Sequence, residues 1–256
     1  MSIRKQDKSR LGCKLIFLWA DGLRTGQRDG DVMAMIDDGG TDKTIRHIVV
    51  LGHPSPGSFN HSVARTYCET VRECGQVAQL RDLYALEFDP LLRSQEQPDG
   101  AHFAPAPDVQ PELGYLQHSA IVTLIYPIWF GMPPAIIKGY VDRVMGAGFA
   151  ARNLKTAGAG PSLHGKKLMQ FSSSASTKCW LEEQGQWVAL RRAFDGYLTT
   201  VFGMEAGEHV HFDSIVEEMK PRHIDEALAV VREKTRSVCA ALLQRQHQAR
   251  VQRLLG

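Results

Sequence analysis

This chain has little surplus charge. Its formal net charge is +2 and 23% of its residues are charged, which removes the electrostatic case for nucleic acid as a partner. It has no apolar run long enough to span a bilayer. It has no Cys-x-x-Cys pair, and its five cysteines are scattered. An odd, unpaired set fits a reducing cytoplasm better than a disulfide framework. There is no internal repeat, no P-loop and no Gly-x-Gly-x-x-Gly element. What the chain does have is length: 256 residues suffice for one well-buried α/β domain with extra segments.

Residues 1–10 are basic and 11–20 are apolar, the order of a signal peptide. Lys14 interrupts that run, and Asp21 to Asp31 is charged and glycine-rich. The expectation is an N-terminal extension over 1–44, disordered or partly an overlong start with initiation at Met33 or Met35, followed by one domain over 45–256. Ile45 to Leu51 reads as a strand, Gly52 to Phe59 as a loop, and about 61–75 as a helix capped by Asn60 and stopped by Gly75. Gln76 to Leu83 reads as a second strand, and residues 86–111, rich in proline, as a long excursion. A short helix at about 111–118 precedes a third strand from Ala120 to Ile125. A helix at 134–146, an irregular stretch at 148–165, a strand from Lys167 to Ser172 and a helix at about 184–202 follow. His209 to Phe212 reads as the fifth strand, and Pro221 opens a last helix with Ile224, Leu228, Val231 and Thr235 on one face. Strands alternating with helices imply a parallel sheet covered on both faces. The predicted architecture is a flavodoxin-like three-layer α/β/α sandwich with five strands in the order 2-1-3-4-5.

Residues 126–145 are the most informative stretch. A turn built from Pro127, Ile128, Trp129, Phe130 and Gly131 follows a buried strand and leads into a helix near Pro133 or Pro134. Open parallel sheets bind ligands there, and a flat aromatic cofactor needs apolar walls with free backbone amides beside them. The loop Gly52 to Asn60 opens the first helix, where exposed amides with Ser58 and Asn60 beside them can cradle an anion. Ser173, Ser174, Ala175 and Ser176 follow the fourth strand and can meet a ring's polar edge. Each loop alone also reads as an ordinary turn or a core aromatic cluster. Their convergence at the carboxyl end of the sheet makes the candidate site.

The residues of these loops resemble the flavodoxin-like NAD(P)H:quinone oxidoreductases, the DT-diaphorase and modulator-of-drug-activity group. The resemblance rests on His53 to Asn60, on Asp82-Leu83-Tyr84 through Phe88-Asp89-Pro90, on Tyr126 to Val144 and on Gly148-Phe149-Ala150. It implies a flavin, FAD first and FMN second, with its phosphates on His53, Ser58, Phe59 and Asn60. It implies the ring against Pro127, Ile128, Trp129, Phe130 and Gly131, with a contact from Ser173 to Ser176. It also implies NAD(P)H as co-substrate, a quinone as acceptor, ping-pong kinetics, a homodimer and no catalytic side chain or metal. The Asp82 to Pro90 stretch is expected to serve packing. Two departures stand out. The family's Thr-Thr-Gly-Gly after strand four is replaced by Ser173-Ser174-Ala175-Ser176, and the Tyr and His that follow it have no clear match; Trp180 and Trp187 lie nearby, and neither is a base. These departures leave an alternative, an ancillary flavoprotein subunit of a potassium efflux antiporter. An azo- or nitro-reductase would share the mechanism and differ only in acceptor.

His209 and His211 fall on one face of a strand, as a metal site needs, but no carboxylate or cysteine is placed by sequence to complete it, so they read as structural. Cys68 and Cys74 read as packing residues. Lys166-Lys167 and Arg191-Arg192 read as solvated faces, although an NADPH phosphate could use a basic pair. Arg245, Arg250 and Arg253 suit the end of the last helix and its dipole.

Overall fold

Five strands form one fully parallel sheet: β1 (Arg46–Leu51), β2 (Val77–Asp82), β3 (Ile121–Pro127), β4 (Lys167–Ser173) and β5 (Glu205–Phe212), ordered β2-β1-β3-β4-β5. The computed structural model describes residues 44–97, 103–147 and 163–255. Among the expectations above, the tail before Thr44, Gly148-Phe149-Ala150 and most of the irregular stretch lie outside them. The central strand β3 is buried at every residue, as a strand covered on both faces must be, and its near-continuous apolar run follows from that position.

Helices α1 (Phe59–Glu73) and α7 (Pro221–Leu255) cover one face. Val63, Tyr67 and Val71 of α1 and Val231, Val238 and Leu242 of α7 meet Val49, Leu51, Ile125 and Phe171 there. The other face carries α2 (Gln110–His118), α3 (Ala135–Tyr140), α5 (Gln186–Leu190) and α6 (Tyr197–Phe202). Ile137, Tyr140, Phe194 and Leu198 close over Val50, Leu124 and Tyr126. The described residues all fall in one unit that begins at Thr44.

Four expectations are corrected or extended. The helix expected at about 184–202 is α5, a π-helical turn at Arg191–Gly196 and α6 in unbroken succession, and a short helix that the sequence did not mark, α4 (Lys178–Glu183), precedes it. Gly185 at φ 70° separates α4 from α5, since a left-handed residue cannot continue a helix. The fifth strand starts at Glu205, ahead of the apolar residues that marked it, because an edge strand tolerates exposed glutamates. Lys166 is not a solvated face: its ammonium donates to the carbonyls of Gln117 at 2.9 Å and Ser119 at 2.5 Å. Cys74 is exposed, unlike the buried Cys68.

Two buried polar clusters pin the layers. On the α1–α7 face, His47 meets the Tyr67 hydroxyl at 2.7 Å and Gln76 Oε1 at 2.7 Å. Thr123 donates to Tyr67, and the Gln76 amide donates to the Cys239 carbonyl. Burial pulls the pKa of His47 down to about 4, so it is neutral at pH 7 with its Nε2 proton directed at Gln76. On the other face, the π-helical turn Val141–Met145 that continues α3 carries Arg143. Its side chain is wholly buried and bonds Glu96 in bidentate fashion at 2.9 Å and 2.9 Å. It also bonds Asp108 at 2.7 Å and 2.9 Å and the Asp89 carbonyl. All of the guanidinium's N–H donors are used. Arg143 therefore fastens the excursion after β2 to the helix after β3, with Pro90 lying against Gly139, where a Cβ would stand 2.4 Å from it. Leu83 and Phe88 are buried, and Phe88 packs on Tyr140, so the Asp82 to Pro90 stretch packs against α3.

Candidate functional site

The loop after β1 leaves the sheet at Gly52, whose amide donates to the Ile125 carbonyl at 3.0 Å. A Cβ there would meet Ile137 at 2.5 Å, so only glycine lets this loop pass against α3. Pro54 to Gly57 are exposed. Ser58 caps α1 in place of the expected Asn60, which lies inside the helix: the Ser58 oxygen accepts from the His61 amide at 3.4 Å and lies 2.8 Å from His61 Nδ1. His61 in turn reaches Asp82 at 3.0 Å. The Ser58 hydroxyl is thus engaged within the chain, and the amides at the head of α1 are the donors left without intrahelical partners. Phe59 packs edge-on against Phe212 at 5.3 Å. His53 is half-buried; burial and the nearby His61 hold its pKa below the usual histidine range.

The loop after β3 is a tight hairpin. Trp129 and Met132 exchange backbone hydrogen bonds at 3.0 and 3.1 Å, with Phe130 at φ 51° and Gly131 at φ 83° between them. Two successive positive φ values define a type I′ turn. Glycine takes that conformation freely; phenylalanine is strained there. The Phe130 side chain nevertheless projects fully into solvent, with Trp129 and Met132 exposed beside it. Strain without compensating burial is the pattern of a functional surface. The Trp129 ring faces His53 across 5.8 Å.

The loop after β4 joins the other two. The buried Asn60 donates its amide to the Ser173 hydroxyl at 2.9 Å. The Ile128 amide donates to the Ser173 carbonyl at 2.7 Å. Ser173 is thus the knot between the loops after β1, β3 and β4. Ser174 is buried, while Ala175 is exposed and Ser176 half-buried. Of the residues picked out from sequence, His53, Asn60, Pro127, Ile128, Trp129 and Ser173 come together. Phe130 and Gly131 stand apart on the hairpin tip, and Ser58 and Phe59 face their own helix and core.

A polar row that the sequence did not assemble runs under Trp187. Asp195 Oδ2 lies 2.7 Å from His209 Nδ1. His209 Nε2 and His211 Nδ1 lie 2.7 and 2.8 Å from the Ser172 hydroxyl. His211 Nε2 lies 3.1 Å from the Ser174 hydroxyl. The Trp187 ring covers both imidazoles at 4.9 and 5.1 Å. No group of three His, Cys, Asp or Glu suited to a metal ion occurs among the described residues, and no described helix is long and apolar enough to cross a membrane.

The flavodoxin-like fold family model matches residues 46–235. The chain is 29% identical over 202 residues to a Haemophilus influenzae protein named as an uncharacterized NAD(P)H oxidoreductase, covering 78% of this chain and 98% of that relative. It is 30% identical over 149 residues to NAD(P)H dehydrogenase [quinone] 1 of Rattus norvegicus. That match covers 51% of this chain and 54% of the rat protein, so the chain spans about half of that relative. A solved NAD(P)H:quinone oxidoreductase from Methanothermobacter marburgensis superposes with a TM-score of 0.65 at 21% identity, over 76% of this chain and 96% of that one. At that identity the likeness speaks for the fold.

Proposed function

Because the chain belongs to the flavodoxin-like fold family, we propose that it is a flavin-dependent NAD(P)H dehydrogenase that reduces quinones. The observation that carries the reading is the knot at Ser173. It ties three loops together at the carboxyl end of the sheet, where open α/β sheets bind nucleotide cofactors. The donor set fits a flavin. Free amides at the head of α1 suit phosphate. The exposed Trp129 and the His53 ring offer flat walls.

Bound there, a flavin supplies two-electron hydride chemistry between NAD(P)H and a quinone. The chain's own part is to hold and shield. His53 and the backbone amides of Phe59 and Asn60 position the phosphate end, with Ser58 acting through its cap. Pro127, Ile128 and Trp129 shape the slot, Phe130 and Gly131 stand at its rim on the hairpin tip, and Ser173, Ser174, Ala175 and Ser176 border it. FAD is the first choice and FMN the second. The exposed apolar hairpin tip of Trp129, Phe130 and Met132 supports a homodimer closed over the cleft. No observation favours the alternative reading as an antiporter subunit. The test is the absorption spectrum of purified protein with the released cofactor weighed by mass spectrometry, followed by mixing with NAD(P)H and a benzoquinone. A yellow protein with parallel-line kinetics is expected. Failure to saturate with either flavin sinks the proposal.

A further inference from the structure

Reduction of a quinone to a hydroquinone takes two electrons and two protons. NAD(P)H gives up two electrons and one proton as hydride, so the second proton comes from water. We propose that the row Asp195–His209–Ser172–His211–Ser174 is a relay that carries this proton from a cleft beside Trp187 to the loop after β4. The inference rests on the flavin reading above and adds a proton path that the reading does not contain.

The row has five contacts: Asp195 to His209, His209 to Ser172, Ser172 to His211, His211 to Ser174, and Ser174 to the Ser176 carbonyl at 2.7 Å. With both rings neutral and Asp195 ionised, the rings supply one N–H each and the serines one O–H each. That leaves one contact without a hydrogen. One added proton fills every contact, and it does so in two ways. His211 can be the cation while Ser172 donates to His209. His209 can be the cation while Ser172 donates to His211. The two arrangements differ only in hydrogen positions along heavy-atom distances of 2.7 to 3.1 Å. An excess proton can therefore pass between His209 and His211 through Ser172 with no movement of heavy atoms, and it leaves the row when the Ser174 hydroxyl turns from the Ser176 carbonyl toward the slot.

The two ends are suited to entry and exit. At one end a surface cleft of about 320 Å³ is lined by Gln170, Trp187, Arg191, Arg192, Asp195 and His209. Asp195 Oδ1 is, among the described residues, the one buried side-chain N or O atom with no hydrogen-bond partner. At the other end Ser174 follows the knot residue Ser173 in the loop that borders the proposed slot. The groups facing the row limit its charge. Asp195, itself paired with Arg191 at 3.0 Å, faces His209, as does the Tyr126 ring. Trp187, Lys178 and Asp213 surround His211. Burial, with the neighbouring His209, pulls His211 down to about 4, so His211 rests neutral at pH 7 and carries the extra proton only in passing.

Ser172 is the middle link, and Ser172→Ala removes it without adding bulk. In nitrogen NMR of the full chain labelled at histidine, His209 and His211 are expected to titrate as one coupled pair. Ser172→Ala should separate them, and Ser172→Thr should restore the coupling. In the flavin-loaded enzyme, Ser172→Ala should lower kcat with a benzoquinone about tenfold at pH 8 and less at pH 6, with KM unchanged and Ser172→Thr rescuing. Independent titration in the unsubstituted chain, or a variant that binds flavin and keeps the original pH profile, overturns the relay alone. Absence of flavin binding in the unsubstituted chain overturns the proposed function and the relay together.

Discussion

The cluster around Arg143 and the row around His209 sit under the same face of the sheet, and both are buried and polar. They differ in what their protons can do. Arg143 carries a permanent charge, and each of its donors ends on Glu96, Asp108 or the Asp89 carbonyl. Nothing in it can rearrange without leaving a buried charge unpaired, so it acts as a clamp. The His209 row contains rotating hydroxyls and two imidazoles, and it is one hydrogen short of full occupancy when neutral. Saturated networks fix a fold; a network with a spare place can pass a proton.

Arg143→Met strikes the clamp and should have the largest effect. It leaves Glu96 without its buried partner and should cost about 3–5 kcal/mol in urea unfolding. A loss under about 1 kcal/mol would mean that the excursion is held by other contacts.

The pH dependence sharpens the contrast through His47, a buried histidine that is already fully bonded. Its native pKa of about 4 lies below the ordinary 6.5. The unfolded chain therefore binds a proton between those values that the folded chain refuses. The stability tied to neutral His47 is complete above pH 6.5 and falls as pH drops toward 4, by about 3 kcal/mol at most. His47→Gln should flatten the stability profile over that window, compared by unfolding at pH 7 and pH 4.5. Equal slopes in the two proteins would remove His47 as the source.

Gly207→Ala attacks the geometry beneath the row. A Cβ there would stand 2.2 Å from the Leu168 carbonyl oxygen. Glycine at this point allows the register shift between β4 and β5 that follows Leu168. Forcing it apart should cost about 1–3 kcal/mol and should shift the imidazole resonances of His209 and His211. Unchanged resonances would show that the row does not depend on the shift. The smallest effect is expected at the hairpin tip. Phe130→Gly relieves a strained φ and should change stability by less than about 1 kcal/mol while raising KM for the quinone. An unchanged KM would exclude the tip from acceptor binding.

Much of this molecule is legible in its sequence. The runs at Ile45 to Leu51, Ala120 to Ile125 and Lys167 to Ser172 marked β1, β3 and β4 because strands covered on both faces must be apolar along their length. Loop positions followed from the strands, and with them the residues that border the cleft. The edge strand β5 was half seen, since Glu205 and Glu208 are exposed and carry no burial signal. The short helix α4 escaped because its six residues are too few to show a helical period. Asp195 was missed as a partner of His209 because nothing local announces it: it sits in a π-helical turn of a different element.

The sequence alone determined the alternation of strands and helices, and hence a parallel sheet with its loops gathered at one end. That pattern is written residue by residue in hydrophobic spacing. Tertiary structure decided which polar side chains meet. The register shift between Leu168 and Gln170 sets Gln170 opposite His209 and Ser172 opposite His211. An unshifted ladder would set Gln170 opposite Glu208 and Ser172 opposite Val210, since one residue of slip turns every side chain to the other face. Hydrogen-bonded partners are chosen by that register, and register is a property of two strands together.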